Sequence, residues 1–340
     1  MGQASRNRCA FVTGGTGFLG QHLIRALREQ GVRVRALVRS PRDSAASAAL
    51  RTIELMGAEP VGGDILDLSA VRAGLGDATW VFHLAGRLLM PGVAASEYER
   101  VHVEGTFNLL TACAEAGSVR AIVHCSTTGV LGPTGRAQAD ESAPLRPSNI
   151  YEFTKAAGEG LAFKMAGCHG LPVVVARPGL VYGPGDLHLL GWFRAIQRGY
   201  YRVVGRGDNV LHPVYVQDVV DGLLRCVQAP AAVGRAYHLV GVRALPIHEL
   251  ADAIARALSR PLSRWHIPLP VAQSLAAVLE LAPRVPPARL PLTRSRVRFM
   301  TESRAYQGTR ARDELGFAPQ VGLDTGLQHT VAWYRSKELL

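Results

Sequence analysis

The sequence predicts an α/β fold: a doubly wound parallel sheet with a smaller substrate-binding region toward the C-terminus. Three observations carry that expectation. Short apolar runs alternate with amphipathic segments through the first half of the chain. A glycine-rich turn, Gly14-Gly15-Thr16-Gly17-Phe18-Leu19-Gly20, joins the first apolar run to the first amphipathic one. After Gly179 the alternation loosens, broken at Pro184-Gly185, Gly205-Arg206-Gly207 and Pro230.

Taken in order, the expected strands of the first half are 9–13, 32–38, 59–62, 79–84, 121–126 and 173–176. The expected helices are 18–30, 45–56, 68–74, 97–117 and 150–167. In the first of these, Leu19, Leu23, Ile24 and Leu27 form one apolar stripe. Asp67 is placed to cap the third. Beyond 180, strand-like pieces at 201–204, 214–216 and 237–240 alternate with helices at 189–198, 219–228 and 247–258. The division drawn is 1–180 for the nucleotide-type half and 181–340 for the substrate half, with some later segments returning to the main sheet.

Composition narrows the class. A chain of 340 residues with 48% hydrophobic and 19% charged residues can bury a large core. No 18-residue apolar window and no apolar leader appear, so the expectation is a cytoplasmic protein. Five scattered cysteines lack metal-ligand spacing, so reduced thiols and no metal are expected. The net charge of +11 comes from arginine; Lys155, Lys164 and Lys337 are the lysines. The densest run, Arg284 to Arg312, is not interleaved with aromatic residues, so nucleic acid is not expected and a solvated face is. A helical apolar pattern at Val271, Leu275, Val278, Leu279 and Leu281 beside that run suits a lid, ordinary packing or a peripheral membrane contact.

Several groups carry chemistry. In the turn, Gly14 permits the bend, Gly17 lets backbone approach a pyrophosphate and Gly20 lets helix pack on strand. The helix N-terminus then offers free N–H groups to the phosphates. The second strand ends in Val38 where an acid would hold a ribose diol, and Arg39 follows with Arg42 near. A guanidinium suits a 2′-phosphate, which favours NADP over NAD. Asp64 can accept from an adenine amino group. His83-Leu84-Ala85-Gly86 ends the fourth strand with residues small enough for backbone to touch a dinucleotide, and His83 itself reads as packing. Tyr151 and Lys155 share one helix face, where an ammonium would lower a phenol's ordinary pKa of about 10. Ser126-Thr127-Thr128 stands at a strand's carboxyl end, where open α/β sheets bind ligands.

In combination these motifs resemble the extended short-chain dehydrogenase/reductase superfamily. The matching stretches run in order from Thr13–Gly20 through Gly63-Asp64, His83-Leu84-Ala85, Gly105-Thr106-Phe107-Asn108, Ser126-Thr127-Thr128 and Tyr151-x-x-x-Lys155. They continue through Arg177-Pro178-Gly179, His212-Pro213-Val214-Tyr215 and Asp313-Glu314-Leu315-Gly316-Phe317. The resemblance implies a Rossmann fold and hydride transfer at nicotinamide. It implies Tyr151 as proton donor or acceptor, Lys155 as its tuner and ribose ligand, and Thr127 as the hydroxyl that holds the carbonyl, with Thr128 the near alternative. It places the cofactor on Gly14, Thr16, Gly17, Phe18, Leu19, Gly20, Arg39, Asp64, Ile65, Leu84, Ala85, Gly86, Tyr151, Lys155 and Pro178. One departure stands out: His102 occupies a helix position where the family usually carries Asn.

Within the superfamily the resemblance is to 3β-hydroxysteroid dehydrogenase and dihydroflavonol reductase relatives. It implies a ketone/secondary alcohol oxidoreductase on a hydrophobic small molecule that is steroid-, polyketide- or flavonoid-like. The expected apolar lining is Leu88-Leu89-Met90-Pro91 with Leu187, Leu189, Leu190, Trp192 and Phe193, with a domain core as the alternative for the same residues. The competing reading is a nucleotide-sugar epimerase or dehydratase with tightly held NAD, in which Arg206 would meet the diphosphate. A homodimer through the helices 97–117 and 150–167 is expected by analogy.

Overall fold

The structure is a computed structural model and describes residues 8–39, 44–135, 137–263, 265–280 and 292–340. The strands are β1 (Cys9–Thr13), β2 (Arg33–Val38), β3 (Glu59–Gly62), β4 (Trp80–His83), β5 (Ala121–Cys125) and β6 (Val173–Pro178), then β7 (Leu180–Tyr182), β8 (Val203–Val204), β9 (Val210–Leu211), β10 (Pro213–Tyr215), β11 (Ala236–Leu239), β12 (Leu245–Pro246) and β13 (His266–Ile267). The helices are α1 (Phe18–Glu29), α2 (Ser44–Leu55), α3 (Leu68–Leu75), α4 (Ala95–Glu99), α5 (Gly105–Ala116), α6 (Ile150–His169) and α7 (Leu190–Gln197). They continue with α8 (Val216–Gln228), α9 (Ile247–Leu258), α10 (Leu269–Glu280), α11 (Arg294–Thr301), α12 (Thr309–Leu315) and α13 (Leu323–Ser336).

Seven strands form one sheet in the order β11-β6-β5-β4-β1-β2-β3, every neighbouring pair parallel. From β1 the chain winds outward to β3, then returns to β4 on the other side of β1. That reversal is a switch point, where a crevice opens beyond the carboxyl ends of the strands. Thr13, the last residue of β1, pairs with Leu37 on one side and His83 on the other.

Near-continuous apolar strands, such as Cys9–Thr13 with all five residues buried, require cover on both faces. On one face α1 and α8 lay down Leu23, Ile24, Leu27, Val219 and Leu223. On the other, α3, α5 and α6 lay down Val71, Leu75, Leu109, Leu110 and Ala162. Each such fully buried aliphatic side chain contributes about 1.5–3 kcal/mol relative to exposure. Residues beyond 180 take part in this sheet: β11 pairs with β6, and α8 packs on β5 and β6.

A second core joins α7, α9 and α13 through Phe193, Ile196, Leu250, Ile254 and Tyr334. Leu189, Leu190 and Phe193 are buried there, which corrects their expected place as an apolar lining. Period-3.6 spacing puts the apolar face of α7 inward, and α9 and α13 cover it. Leu88, Met90 and Leu187 are exposed instead.

The helix expected at 97–117 forms, from Ala95 to Ala116, but it is not regular throughout. A π-helical turn, Arg100–Glu104, separates α4 from α5 and holds His102, which is buried. The expected solvated face of arginines also fails at Arg304. Its side chain is 13% exposed and its Nη1 donates to Glu152 Oε1 at 2.7 Å. Arg284, Arg289 and Leu281 lie outside the described residues, as does Arg42. Among the described residues no helix is long and apolar enough to cross a membrane.

Candidate active site

The turn after β1 is shaped by close approach. Gly14 has φ of +73°, and a Cβ built there would lie 2.7 Å from the Ala85 nitrogen and the Leu84 carbonyl. A side chain is therefore excluded twice, by backbone conformation and by the loop after β4. At Gly20 an added Cβ would overlap the Gly14 carbonyl, so α1 rests directly on the turn. Gly17 is the N-cap of α1; it brings no side-chain cap, and the first turn holds no acidic residue. The amides of that first turn thus face the switch point with no carboxylate of their own to compete with a phosphate. The cradle fits a dinucleotide pyrophosphate.

Around the turn, the other expected cofactor positions fall at the carboxyl edge. Leu84 N–H donates to Thr13 O at 3.1 Å and Ala85 N–H to Thr13 Oγ1 at 3.2 Å, which holds the β4 loop beside the turn. Gly86 lies next, where an added Cβ would be in ordinary contact with the His102 ring. Arg39 is exposed at the end of β2, beyond buried Val38. The Asp64 carboxylate accepts from Leu66 N–H at 3.0 Å, turning the chain after β3. Ile65 is buried against Gly105, and its carbonyl accepts from Asn108 Nδ2 at 3.1 Å. Phe18 borders Gly185, and His22 Nε2 meets the Pro184 carbonyl at 2.7 Å, so the loop after β7 abuts the start of α1.

The hydroxyl, phenol and amine expected to do chemistry converge at the ends of β5 and α6. Asn149 caps α6 by accepting from Glu152 N–H at 3.1 Å. The Glu152 carboxylate reaches back to the Ser148 N–H and hydroxyl at 2.7 and 2.8 Å, and Arg304 secures its other oxygen. This fixes the turn carrying Tyr151. One helical turn on, Lys155 is buried and its Nζ donates to the Cys125 carbonyl at 2.6 Å. Thr127 and Tyr151 interact through their hydroxyl groups.

The two threonines differ. Thr128 is buried and donates its hydroxyl to the Pro178 carbonyl at 3.2 Å. Thr127 Oγ1 accepts from Gly129 N–H at 3.1 Å, which leaves its own proton for Tyr151 or a ligand. The acidity of Tyr151 departs from the sequence expectation. Burial pushes the phenol above its ordinary value, outweighing the hydrogen bond to Thr127. Burial likewise lowers Lys155. Desolvation disfavours both charged forms, and it is the largest influence at each position.

Behind the site, Arg177 and Glu159 form a buried pair, with Arg177 Nε at 3.1 and 3.2 Å from the two carboxylate oxygens. Glu159 lies one turn beyond Lys155 and ties α6 to β6. Sequence reasoning missed this brace, and it missed Thr13, Thr106 and Thr154 as polar partners of buried histidines. The signal available was the sum of small hydroxyl residues at strand ends and helix faces next to His83 and His102.

A family model described as NAD dependent epimerase/dehydratase family matches residues 10–240. The chain belongs to that family. Its relatives by sequence include a 4-hydroxy-2-methyl-3-oxo-4-farnesyl-3,4-dihydroquinoline-1-oxide ketoreductase from Stigmatella aurantiaca, 32% identical over 93% of this chain and 94% of the relative. Another is 3beta-hydroxysteroid-dehydrogenase/decarboxylase isoform 1 from Arabidopsis thaliana, 30% identical over 95% of this chain and 79% of the relative. Among solved structures, the crystal structure of gox2253 superposes with a TM-score of 0.81 at 25% identity, covering 98% of this chain and all of that one, 100%. Membership in the epimerase/dehydratase family, with these relatives, makes the chain an NAD-dependent oxidoreductase of the short-chain dehydrogenase/reductase type.

Proposed function

We propose that the protein interconverts a ketone and a secondary alcohol on a hydrophobic small molecule. Tyr151 is the proton donor in the reductive direction. The observation that carries this reading is the pairing of a half-buried phenol, kept protonated by desolvation, with a hydroxyl that has a proton to give, at the carboxyl edge of the sheet. Bound at the glycine turn, a nicotinamide dinucleotide supplies or accepts the hydride. Thr127 and Tyr151 donate hydrogen bonds to the substrate oxygen and stabilise the charge that builds there. Lys155, held by the Cys125 carbonyl one helical turn beyond Tyr151, would hold the ribose of a bound cofactor and supply positive charge near the phenol. Gly14, Thr16, Gly17, Phe18, Leu19 and Gly20 hold the pyrophosphate. Asp64, Ile65, Leu84, Ala85, Gly86 and Pro178 line the rest of the dinucleotide.

NADP is the proposed preference. Val38 offers no carboxylate for a ribose diol, and Arg39 stands exposed beside it. The relatives' names support a lipophilic substrate, since they describe a farnesylated quinoline and a hydroxysteroid. The nucleotide-sugar reading needs a cation for a diphosphate. Arg206, offered for that role, has a side chain 91% exposed and pairs with Asp208 on its own loop. A homodimer through α5 and α6 is supported by Phe107 and Phe153, which those helices leave exposed. A peripheral membrane contact through α10 has the exposed Val271, Leu275 and Val278 in its favour.

The test is NADPH oxidation by the purified protein with a panel of lipophilic ketones, repeated with two matched variants. Thr127→Val removes the free donor and lowers kcat by about a hundredfold to a thousandfold, as loss of one oxyanion-type hydrogen bond does. Thr128→Val affects stability more than kcat. Equal turnover in Thr127→Val and the parent would remove Thr127 from the mechanism.

A further inference from the structure

Two chains of hydrogen bonds leave the loop after β4, and both pass through a histidine. In the first, Ala85 N–H donates to Thr13 Oγ1 at 3.2 Å, and Thr13 Oγ1 lies 2.8 Å from His83 Nδ1. His83 Nε2 lies 2.9 Å from Thr106 Oγ1, whose hydroxyl donates to the His102 carbonyl at 2.6 Å. In the second, Arg87 N–H donates to His102 Nε2 at 2.9 Å, and His102 Nδ1 lies 2.8 Å from Thr154 Oγ1. The Thr154 hydroxyl donates to the Ile150 carbonyl at 2.9 Å, with the Tyr151 carbonyl at 3.1 Å. Thr13, His83, His102, Thr106 and Thr154 are all buried.

Counting protons fixes every direction. A carbonyl only accepts, a backbone N–H only donates, and a hydroxyl has one proton. The Thr106 proton is committed to the His102 carbonyl, so Thr106 accepts from His83 Nε2–H. His83 Nδ1 then carries a lone pair and accepts from Thr13. His102 Nε2 accepts from Arg87 N–H, so its proton is on Nδ1 and goes to Thr154. Neither ring has room for a second proton. On His102 it would set N–H against N–H, and on His83 it would strand the Thr13 hydroxyl proton. Burial lowers both imidazoles to about 3, and the Lys155 ammonium adds to the effect on each. The rings of Tyr98 and Tyr151 complete the surroundings of His102, at 6.1 and 5.6 Å.

We propose that His102 is a positioning residue, a neutral Nδ1–H connector that couples the loop at Ala85–Arg87 to the first turn of the catalytic helix and carries no proton during turnover. The loop is one wall of the cofactor crevice, so the connector makes dinucleotide binding and the placement of Tyr151 depend on each other. His83 does the same for the turn itself, linking Thr13, one residue before Gly14, to the π turn. The proposal rests on the reading of the site given above, and it is tested by a measurement that needs no turnover.

That measurement is the nitrogen-15 spectrum of histidine side chains in the intact protein from pH 5 to 8, with His102 assigned by comparison with His102→Gln. The expected pattern is a neutral Nδ1–H ring with no titration in that range. A charged ring, an Nε2–H tautomer or a titration overturns the proposal, whatever the enzyme's substrate. The kinetic arm uses His102→Gln, whose amide oxygen can still accept from Arg87 N–H, and His102→Phe, which fills the space without a hydrogen bond. Losing that loop anchor raises the cofactor KM by about fivefold to tenfold in His102→Phe, with partial recovery in His102→Gln. The acid limb of the pH profile of kcat/KM stays where it is in His102→Gln. If that limb moves or vanishes, His102 is an acid–base group and the proposal fails.

Discussion

The two walls of the crevice are built on opposite plans. On the β1–β4 side the polar groups are matched with one another: Thr13 with His83 and Ala85, His102 with Arg87 and Thr154, Lys155 with the Cys125 carbonyl. Farther along the loop after β4, past Arg87, and on the loop after β7, Leu88, Met90 and Leu187 stand 55%, 53% and 62% exposed. A wall in which most polar groups are already matched holds one geometry and favours one ligand; Arg87 Nε, Ser126 Oγ and both His124 ring nitrogens are the buried atoms beside it without a partner among the described residues. A wall of exposed aliphatic groups gains by being covered and tolerates many shapes, because apolar contact is not directional. On the proposed reading of the site, this contrast makes cofactor recognition rigid and substrate recognition permissive.

Substitutions can break that contrast. The largest effect is expected at the chemistry between the walls. Tyr151→Phe lowers kcat by about a hundredfold to ten-thousandfold, the usual contribution of a positioned proton donor, while NADPH affinity by fluorescence titration stays close to that of the parent. A parallel loss of cofactor affinity would place Tyr151 in the binding wall alone.

Next comes acid sensitivity of the matched wall. His83 and His102 in that wall, and His238 outside it on β11, hold pKa values of about 3 in the fold against 6.5 in an open chain. The unfolded chain therefore binds more protons as the pH falls below 6.5, and stability present above that pH is lost progressively toward 3. Burial raises Glu141, Asp186 and Asp218, which act in the opposite sense nearer the carboxylate range. Urea midpoints at pH 7 and 5.5 isolate the histidines, and a midpoint that holds steady or rises on acidification would contradict the neutral network.

A smaller change is expected at the rim of the cofactor wall. Arg39→Asp exchanges a partner for a 2′-phosphate for one that accepts from a diol, and the ratio of kcat/KM for NADPH over NADH falls by about tenfold or more. The smallest belongs to the permissive wall. Leu187→Ser raises the KM for a lipophilic ketone only about threefold, as one partly covered side chain should, and leaves the cofactor KM alone. A large loss there would mean that substrate recognition is as specific as cofactor recognition.

How legible each wall was in the sequence follows from the same physics. The succession of strands and helices is written in local signals: alternation of period and a glycine turn where Gly14 and Gly20 admit no Cβ. Tyr151 and Lys155 were visible because helical spacing alone puts them on one face. The acidity of Tyr151 was not, since it depends on burial contributed by distant segments, and desolvation there exceeds any help from a neighbouring charge. Leu189, Leu190 and Phe193 were misplaced for a related reason. An apolar side chain suits a ligand lining and a core equally well, and only α9 and α13, some 60 to 140 residues away in sequence, decide between them. Arg304 carried a surface composition into a buried pair because Glu152, its partner, is far off in the chain.

The π turn at Arg100–Glu104 also bears on how this protein should be compared with others. A wider turn spends an extra residue on the same axial advance, and each residue of a helix accounts for about 100° of rotation. The side chains of α4, including fully buried Tyr98, are therefore out of phase with those of α5 by about one residue. Removing the extra residue between 100 and 104 would leave composition and hydropathy almost unchanged and let the turn close to a regular helix with Tyr98 and α5 still in place, so that only the residues between them change position. A relative whose helix is regular here must therefore be aligned with a one-residue gap, or roles will be assigned to the wrong side chain.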